Sequence, residues 1–251
     1  VAAMSEYFRS ARPEDAAWAV YFLVGRRLKR ITTTRTLRAW AARNSGYPDW
    51  LVDASHDAVG DASETMALLV PRATQPTDRP LGEWVTGRLL PLRQSGAEEQ
   101  YLAVSSAWNE LCADERIVWN RLLTGNLRVT VARQHVIRAL AEVAGVTPDV
   151  VEHRLSGDWS PTPQFFATLL QVDTDDTDVS RPYPFQLAWP LDADLETLGD
   201  RMRWLVDWKW NGIRAQLIRR DGQTFLWSRG DELVTDRFPE IAAAAESLPD
   251  G

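Results

Sequence analysis

Residues 119–146 read WNRLLTGNLRVTVARQHVIRALAEVAGV, and this stretch indicates the fold class of the long first part of the chain. Apolar residues recur every three or four positions on both sides of a short loop, which predicts two amphipathic helices. Gly125 and Gly145 stand where each helix would end, because glycine readily adopts the backbone conformation that closes a helix. The stretch therefore predicts a helix, a loop and a second helix.

The same periodicity extends over residues 1–170. The segment PEDAAWAVYFLVGRRL (13–28) begins with Pro-Glu-Asp, which is typical of a helix N-terminus, and ends at a glycine and basic residues. Residues 47–70 predict two short helices separated by Gly60, and residues 71–80 predict a loop. We therefore expect an all-α domain over residues 1–170.

The sequence changes character after residue 170. Residues 171–182, QVDTDDTDVSRP, are polar and acidic, and they predict a linker. Beyond the linker, short segments rich in aromatic and β-branched residues flank Asp221-Gly222, a dipeptide typical of hairpin turns. A helix is predicted within residues 238–248. Residues 183–251 thus predict the opening part of a second domain that contains β-strands.

Composition argues against disulfide-bonded, zinc-binding, membrane-spanning and secreted classes of protein. The chain has 251 residues and one cysteine, Cys112, so it can form no internal disulfide, and a cysteine-based zinc site is not expected. No apolar run reaches the length of a transmembrane helix, and no signal peptide is visible. We expect a monomer in the cytoplasm, associated with the nucleoid, with no membrane partner.

Positive charge is clustered even though the net charge is −7. Residues 1–43 contain nine lysines and arginines against three acids, and residues 116–138 contain five arginines and no acid. A local basic surface can bind phosphates on an acidic protein, because salt limits electrostatic fields to about 8–10 Å. The alternative is that these arginines are solvated faces of helices.

Lysine is rare in this chain. Of 28 basic residues only Lys29 and Lys209 are lysines. A lysine amine can lose its proton in a suitable environment, whereas an arginine guanidinium cannot, so a position that needs a nucleophilic amine excludes arginine. Lys209, between two tryptophans, is therefore a candidate nucleophile. The alternative is an ordinary surface lysine.

Several segments resemble one family of enzymes. KWNGIR (209–214) resembles the K-x-D-G-x-R motif of covalent nucleotidyltransferases, and SRGDELVTDRFPE (228–240) resembles the next conserved block of ATP-dependent DNA ligases. Residues 119–146 and HRLSGDWSPTP (153–163) are similar to the helical DNA-binding domain of those ligases. The resemblance implies a multidomain protein: an all-α DNA-binding domain followed by the truncated start of an α/β (α+β) nucleotidyltransferase, or adenylation, domain.

The resemblance also implies functions for individual residues. Lys209 would attack the α-phosphate of ATP to form a lysyl-AMP intermediate, with Mg²⁺ as the second cofactor, and the AMP would activate the 5′-phosphate of nicked duplex DNA for sealing. The nucleotide-binding residues would be Asp207, Arg214 and Arg229. The DNA-binding residues would be Arg121, Gly125, Arg128, Thr130 and Arg133. No residue before Gly251 is expected to bind the metal.

The chain departs from the family pattern at several positions. Asn211 replaces the usual aspartate, Asp207 replaces a glutamate, and Thr130 stands where glycine is common. The later acidic and lysine motifs and the OB-fold domain have no counterpart before Gly251. We therefore expect a ligase fragment that does not complete the reaction alone. Two alternatives remain: a DNA-binding module without catalysis, and an RNA ligase or capping-type enzyme, which the helical domain disfavours.

Overall fold

A computed structural model describes residues 1–172, 179–185, 194–204, 211–230 and 232–250 of the chain. These residues form twelve α-helices and one two-stranded antiparallel sheet. The chain divides into two compact units, Val1–Val143 with Pro161–Thr168 and Ala144–Ser160 with Leu169–Gly251. The helical architecture predicted for the first part of the chain is confirmed, whereas the class of the second domain stays a prediction.

The helices follow one another in short steps along the chain. They are α1 (Ala2–Ser10), α2 (Pro13–Leu23), α3 (Thr34–Ser45), α4 (Asp49–Val59), α5 (Ala62–Leu69), α6 (Leu81–Glu83), α7 (Ala97–Glu110), α8 (Ala113–Thr124), α9 (Arg133–Ala144), α10 (Pro148–Arg154), α11 (Pro163–Leu169) and α12 (Pro239–Ala245). The helices predicted around Gly60 are α4 and α5, so that prediction is confirmed. None of the helices in the described ranges is long and apolar enough to cross a membrane.

The core of the first unit forms from the apolar faces of α2, α3, α5, α7 and α8. Each large side chain buried there contributes about 1.5–3 kcal/mol relative to an exposed one. Inside this core the fully buried Asn120 accepts a hydrogen bond from Trp108 Nε1 at 2.9 Å and donates one to Ser63 O at 3.0 Å. Asn120 thereby fixes α8 against α5 and α7.

The segment 81–94 departs from the regular α-helical periodicity expected over residues 1–170. After α6 the chain forms a π-helical turn at Trp84–Leu89 and a 3-10 turn at Leu90–Gln94. Pro91 lies at this change and has no N–H group to continue an α-helical hydrogen-bond ladder. Within the π-helical turn, Trp84 packs edge-on against Trp119, with ring centroids 5.4 Å apart.

The second unit contains the hairpin. Strands β1 (Ala215–Arg220) and β2 (Gln223–Ser228) pair from Ala215 opposite Ser228 to Arg220 opposite Gln223. Asp221 and Gly222 both have positive φ, 50° and 69°, which is the geometry of the two-residue turn that matches strand twist. The hairpin prediction is therefore confirmed, and α12 confirms the helix predicted within residues 238–248.

Both faces of the hairpin are covered within this unit. On one face Trp227 Nε1 donates a hydrogen bond to Ser180 O at 2.6 Å, and a Cβ atom placed on Gly157 would lie 3.3 Å from the same indole. On the other face Arg219 Nη1 donates to Ala245 O of α12 at 2.9 Å. Residues Ala144–Ser160 thus group with the hairpin. The predicted domains 1–170 and 183–251 and the linker 171–182, of which 173–178 lie outside the described residues, stay predictions.

Candidate nucleic-acid interface

The loop that follows α8 begins with a tightly closed helix end. Gly125 has φ +67°, its N–H bonds to Leu122 O at 3.2 Å, and Asn126 N–H bonds to Arg121 O at 2.9 Å. These two hydrogen bonds satisfy carbonyls at the helix end and turn the chain sharply, which a glycine permits without steric cost. The sequence-predicted residue Gly125 is therefore explained by backbone geometry: it directs the loop 125–130 away from α8.

The loop borders a concave pocket of about 460 Å³ in the first unit. Its lining combines the first residues of α3 and α5 with the end of α8 and the loop itself: Thr34, Leu37, Gly60, Asp61, Ala62, Ser63, Arg121, Thr124, Asn126, Arg128 and Thr130. Two helix N-termini therefore meet at one pocket. Helix N-termini favour anions, because their first N–H groups lack partners within the helix and their dipoles are positive there.

Arg121 makes an ion pair at this pocket. Its Nη2 lies 3.1 Å from Asp61 Oδ2, and Asp61 is also the N-cap of α5, accepting a hydrogen bond from Glu64 N at 3.0 Å. The pKa of Asp61 lies below its ordinary value, first because of the Glu64 hydrogen bond and then because of Arg121. The carboxylate is thus ionised near neutral pH, and it offsets part of the positive charge that Arg121 brings to the pocket.

Arg128 and Thr130 lie on the exposed part of the loop. In the described part of the chain, Arg128 has no carboxylate partner, and the backbone N–H groups of residues 128–130 donate to no protein acceptor. Arg133 is the first residue of α9, directly after the loop. The loop therefore presents a free guanidinium, unpaired N–H groups and a third helix start, a set of groups that suits phosphate oxygens.

The sequence analysis did not predict eight of the lining residues: Thr34, Leu37, Gly60, Asp61, Ala62, Ser63, Thr124 and Asn126. Their signal in the sequence is weak, because Asp61 and the threonine before Thr34 are ordinary helix caps. Their association with Arg121 depends on the packing of α5 against α8, which no local pattern indicates.

A second group of predicted residues lies in the second unit. Arg229 N–H donates to Arg214 O at 3.1 Å, so these two residues face each other at the open end of the hairpin. Both side chains are exposed. They lie next to the last strand pair of the hairpin, Ala215 opposite Ser228, and exposed arginines of this kind suit the phosphate oxygens of an anion. The predicted nucleophile Lys209 and the predicted nucleotide-binding residue Asp207 lie outside the described residues.

Among the described residues, no group of three or more histidine, cysteine, aspartate or glutamate side chains is arranged to hold a metal ion. The described residues therefore identify no ligand set for the Mg²⁺ that the resemblance implies.

Comparisons with known proteins point to one family. The family model described as "DNA ligase N terminus" matches residues 1–159. A DNA ligase of Ignicoccus hospitalis is 31% identical over 138 aligned positions, which cover 51% of this chain and 22% of that protein. A probable DNA ligase of Anaeromyxobacter sp. is 27% identical over 211 positions, covering 76% of this chain and 38% of that protein.

A third relative extends the similarity across nearly the whole chain. A DNA ligase of Pyrobaculum islandicum is 23% identical over 267 aligned positions, covering 96% of this chain and 45% of that protein. The chain thus spans less than half the length of these curated relatives.

Proposed function

We propose that this chain, which belongs to the DNA ligase N-terminus family, is the DNA-binding and nucleophile-bearing region of a DNA ligase. In this proposal the first unit holds duplex DNA, and the second unit carries part of the site that reacts with ATP. The whole ligase would seal nicks in duplex DNA. This assignment goes beyond the family match, because the chain spans only part of each curated relative.

The observation that carries the DNA-binding part is the arrangement around the loop 125–130. An exposed arginine, unpaired backbone N–H groups and two helix N-termini surround one pocket. These groups would bind the sugar-phosphate backbone and would not read base edges. Binding should therefore be independent of sequence and should weaken steeply with salt. Gly125 would shape the loop, and Arg121, Arg128, Thr130 and Arg133 would lie at or beside the phosphates.

The proposed chemistry of the second unit follows the motif at residues 209–214. The amine of Lys209 would attack the α-phosphate of ATP, pyrophosphate would leave, and a lysyl-AMP phosphoramidate would form. Arg214 and Arg229 would bind the nucleotide phosphate, in keeping with their opposed positions at the end of the hairpin. Asp207 would contact the nucleotide as well. ATP is therefore proposed as a cofactor because of the motif at residues 209–214 and the two exposed arginines, Arg214 and Arg229.

A binding experiment with matched variants tests the DNA-binding proposal. Arg128→Gln removes an exposed arginine at the pocket, and Arg72→Gln removes an exposed arginine elsewhere in the first unit; neither forms an ion pair within the described residues. Fluorescence anisotropy with a labelled duplex should show weaker binding for Arg128→Gln, with a salt slope reduced by about 0.9. Arg72→Gln should bind as the unaltered chain does. Equal binding by all three proteins would refute the assignment of this surface.

A second candidate function is a DNA-binding module that has lost catalysis. Asn211 favours it, because this residue replaces the usual aspartate of the lysine motif. The two candidates differ in covalent chemistry at Lys209. The test incubates the native protein that contains this chain with ATP and examines it by intact mass. A gain of one AMP that Lys209→Arg abolishes supports the ligase, and no gain supports the binding module.

A further inference from the structure

A basic loop leads from α2 into α3 beside the pocket. The basic loop, residues 25–35, reads GRRLKRITTTR and contains five lysines and arginines and no acid. It includes Lys29, one of the chain's two lysines. The family match covers this region without assigning it a function. Its charge density alone would also suit a solvated surface. Whether the basic loop can bind an anion therefore depends on its position in the fold and on whether its cations form ion pairs.

The backbone of the basic loop is fixed at several points. Gly25 closes α2 as Gly125 closes α8, with Gly25 N–H bonded to Phe22 O at 3.0 Å and Arg26 N–H to Tyr21 O at 3.1 Å. Further along, the N–H groups of Ile31 and Thr32 donate to the carbonyl of Leu123 at 2.9 and 3.2 Å. The basic loop is therefore anchored to the end of α8, the same helix end from which the loop 125–130 departs.

The two loops lie side by side. A Cβ atom placed on Gly125 would be 3.5 Å from Arg30 Cβ, which is ordinary van der Waals contact. Thr34, at the far end of the basic loop, lines the same pocket as Arg128. The basic loop and the loop 125–130 thus form two neighbouring edges of one surface, although about a hundred positions separate them in the sequence.

Four of the five cations of the basic loop are available for a partner. Arg27, Lys29, Arg30 and Arg35 are exposed, and none of them forms an ion pair with a carboxylate of the described part of the chain. Some other exposed arginines of the unit are paired, for example Arg43 with Glu98 at 2.7 Å. Unpaired cations on a fixed backbone keep their charge for an external anion and lose little backbone entropy when they bind it.

We propose that the basic loop is a second phosphate-binding edge, on which Lys29 and Arg30 contact DNA backbone phosphates neighbouring those held by the loop 125–130. This inference rests on the proposed DNA-binding function and adds the residues and the region that extend its surface. The shared position beside Gly125, the absence of any acid in the basic loop and its fixed backbone all favour a duplex, whose phosphates form a rigid and regularly spaced row of charges.

The test compares four forms of the full chain by salt-titrated anisotropy with a labelled duplex. Lys29→Gln with Arg30→Gln removes two charges from the basic loop, and Arg43→Gln with Arg72→Gln removes two charges elsewhere. Lys29→Arg with Arg30→Lys keeps the charge. If each residue neutralises one phosphate, the first variant should lower the salt slope by about 1.8 and weaken binding about 60-fold near 0.1 M salt. The control and the charge-conserving variant should bind nearly as the unaltered chain does.

The outcomes separate this inference from the function on which it rests. If Arg128→Gln weakens binding and the basic-loop variant does not, the inference is wrong and the proposed DNA-binding surface stands. If the unaltered chain does not bind the duplex at any salt concentration, both fail. If the control variant loses as much affinity for the duplex as the basic-loop variant does, the effect comes from the net charge of the chain, and the inference is wrong. Thermal unfolding of each variant checks that the substitutions, all at exposed positions, leave the fold unchanged.

Discussion

The ion pair between Arg121 and Asp61 predicts an unusual gain of function. Substitution Asp61→Asn should strengthen DNA binding. In the unaltered chain Arg121 Nη2 lies 3.1 Å from Asp61 Oδ2, so a phosphate must compete with this carboxylate for the guanidinium. Asparagine caps a helix about as well as aspartate. The substitution therefore removes the competing charge and keeps the α5 N-cap that Glu64 N–H uses.

The size of the effect follows from the exposure of the pair. The side chains of Arg121 and Asp61 are 32% and 42% exposed, so solvent screens their attraction. Pairs of this kind are worth about 0.2–1 kcal/mol, which corresponds to a rise in DNA affinity of about 1.4- to 5-fold when the competition is removed. The pKa of Asp61 lies below its ordinary value, so the carboxylate is fully charged at neutral pH and the whole effect is available there.

The assay is a double-mutant cycle in DNA binding, measured by anisotropy at fixed salt. Asp61→Asn should tighten binding in the unaltered background and should have a smaller effect beside Arg121→Gln, because the cation that it frees is then absent. Asp61→Ala serves as a control, since it removes both charge and cap and should cost about 1 kcal/mol of stability. Weaker binding by Asp61→Asn, or the same gain with and without Arg121, would refute the competition between carboxylate and phosphate.

Three further predictions concern stability and are measured by urea unfolding. Gly125→Ala should cost about 1–2 kcal/mol, because alanine is strained at φ +67° while its Cβ finds only ordinary contacts. Gly157→Ala should lower the free energy of unfolding by more, because its backbone is also left-handed and its Cβ would lie 3.3 Å from the Trp227 indole. An equal loss of stability at both glycines would show that this crowding has no effect. Glu110→Gln should cost about 1–3 kcal/mol, because Glu110 is buried between two arginines, whereas Glu98→Gln at an exposed pair should cost less. A reversed order for the two glutamates would contradict the importance of burial.

The sequence predicts features whose causes are local. Gly60, Gly125 and Gly222 indicated two helix ends and a hairpin turn, because each requires a backbone conformation that few other residues adopt. The π-helical turn was missed, because an apolar pattern near 3.6 residues does not distinguish an α-helix from a wider one.

The candidate site depends on contacts that are distant in the sequence. Asp61 and Arg121 are 60 positions apart and meet only because α5 packs against α8. Arg30 lies beside Gly125 for a similar reason: the basic loop is anchored to the carbonyl of Leu123. The sequence shows that each segment is basic. Only the folded chain shows that Arg121 pairs with Asp61, whereas Arg30 has no carboxylate partner among the described residues.

The pocket, with the basic loop and the loop 125–130 beside it, is proposed to bind duplex DNA. Hydrogen–deuterium exchange of the full chain, with and without a duplex, tests it most directly. The N–H groups of residues 128–130 have no acceptor in the described part of the chain, so their exchange should be fast alone and should slow when a phosphate accepts from them. Duplex binding should therefore slow exchange at residues 25–35 and 125–133. Unchanged exchange in both loops, with a bound duplex protecting other segments only, would contradict it.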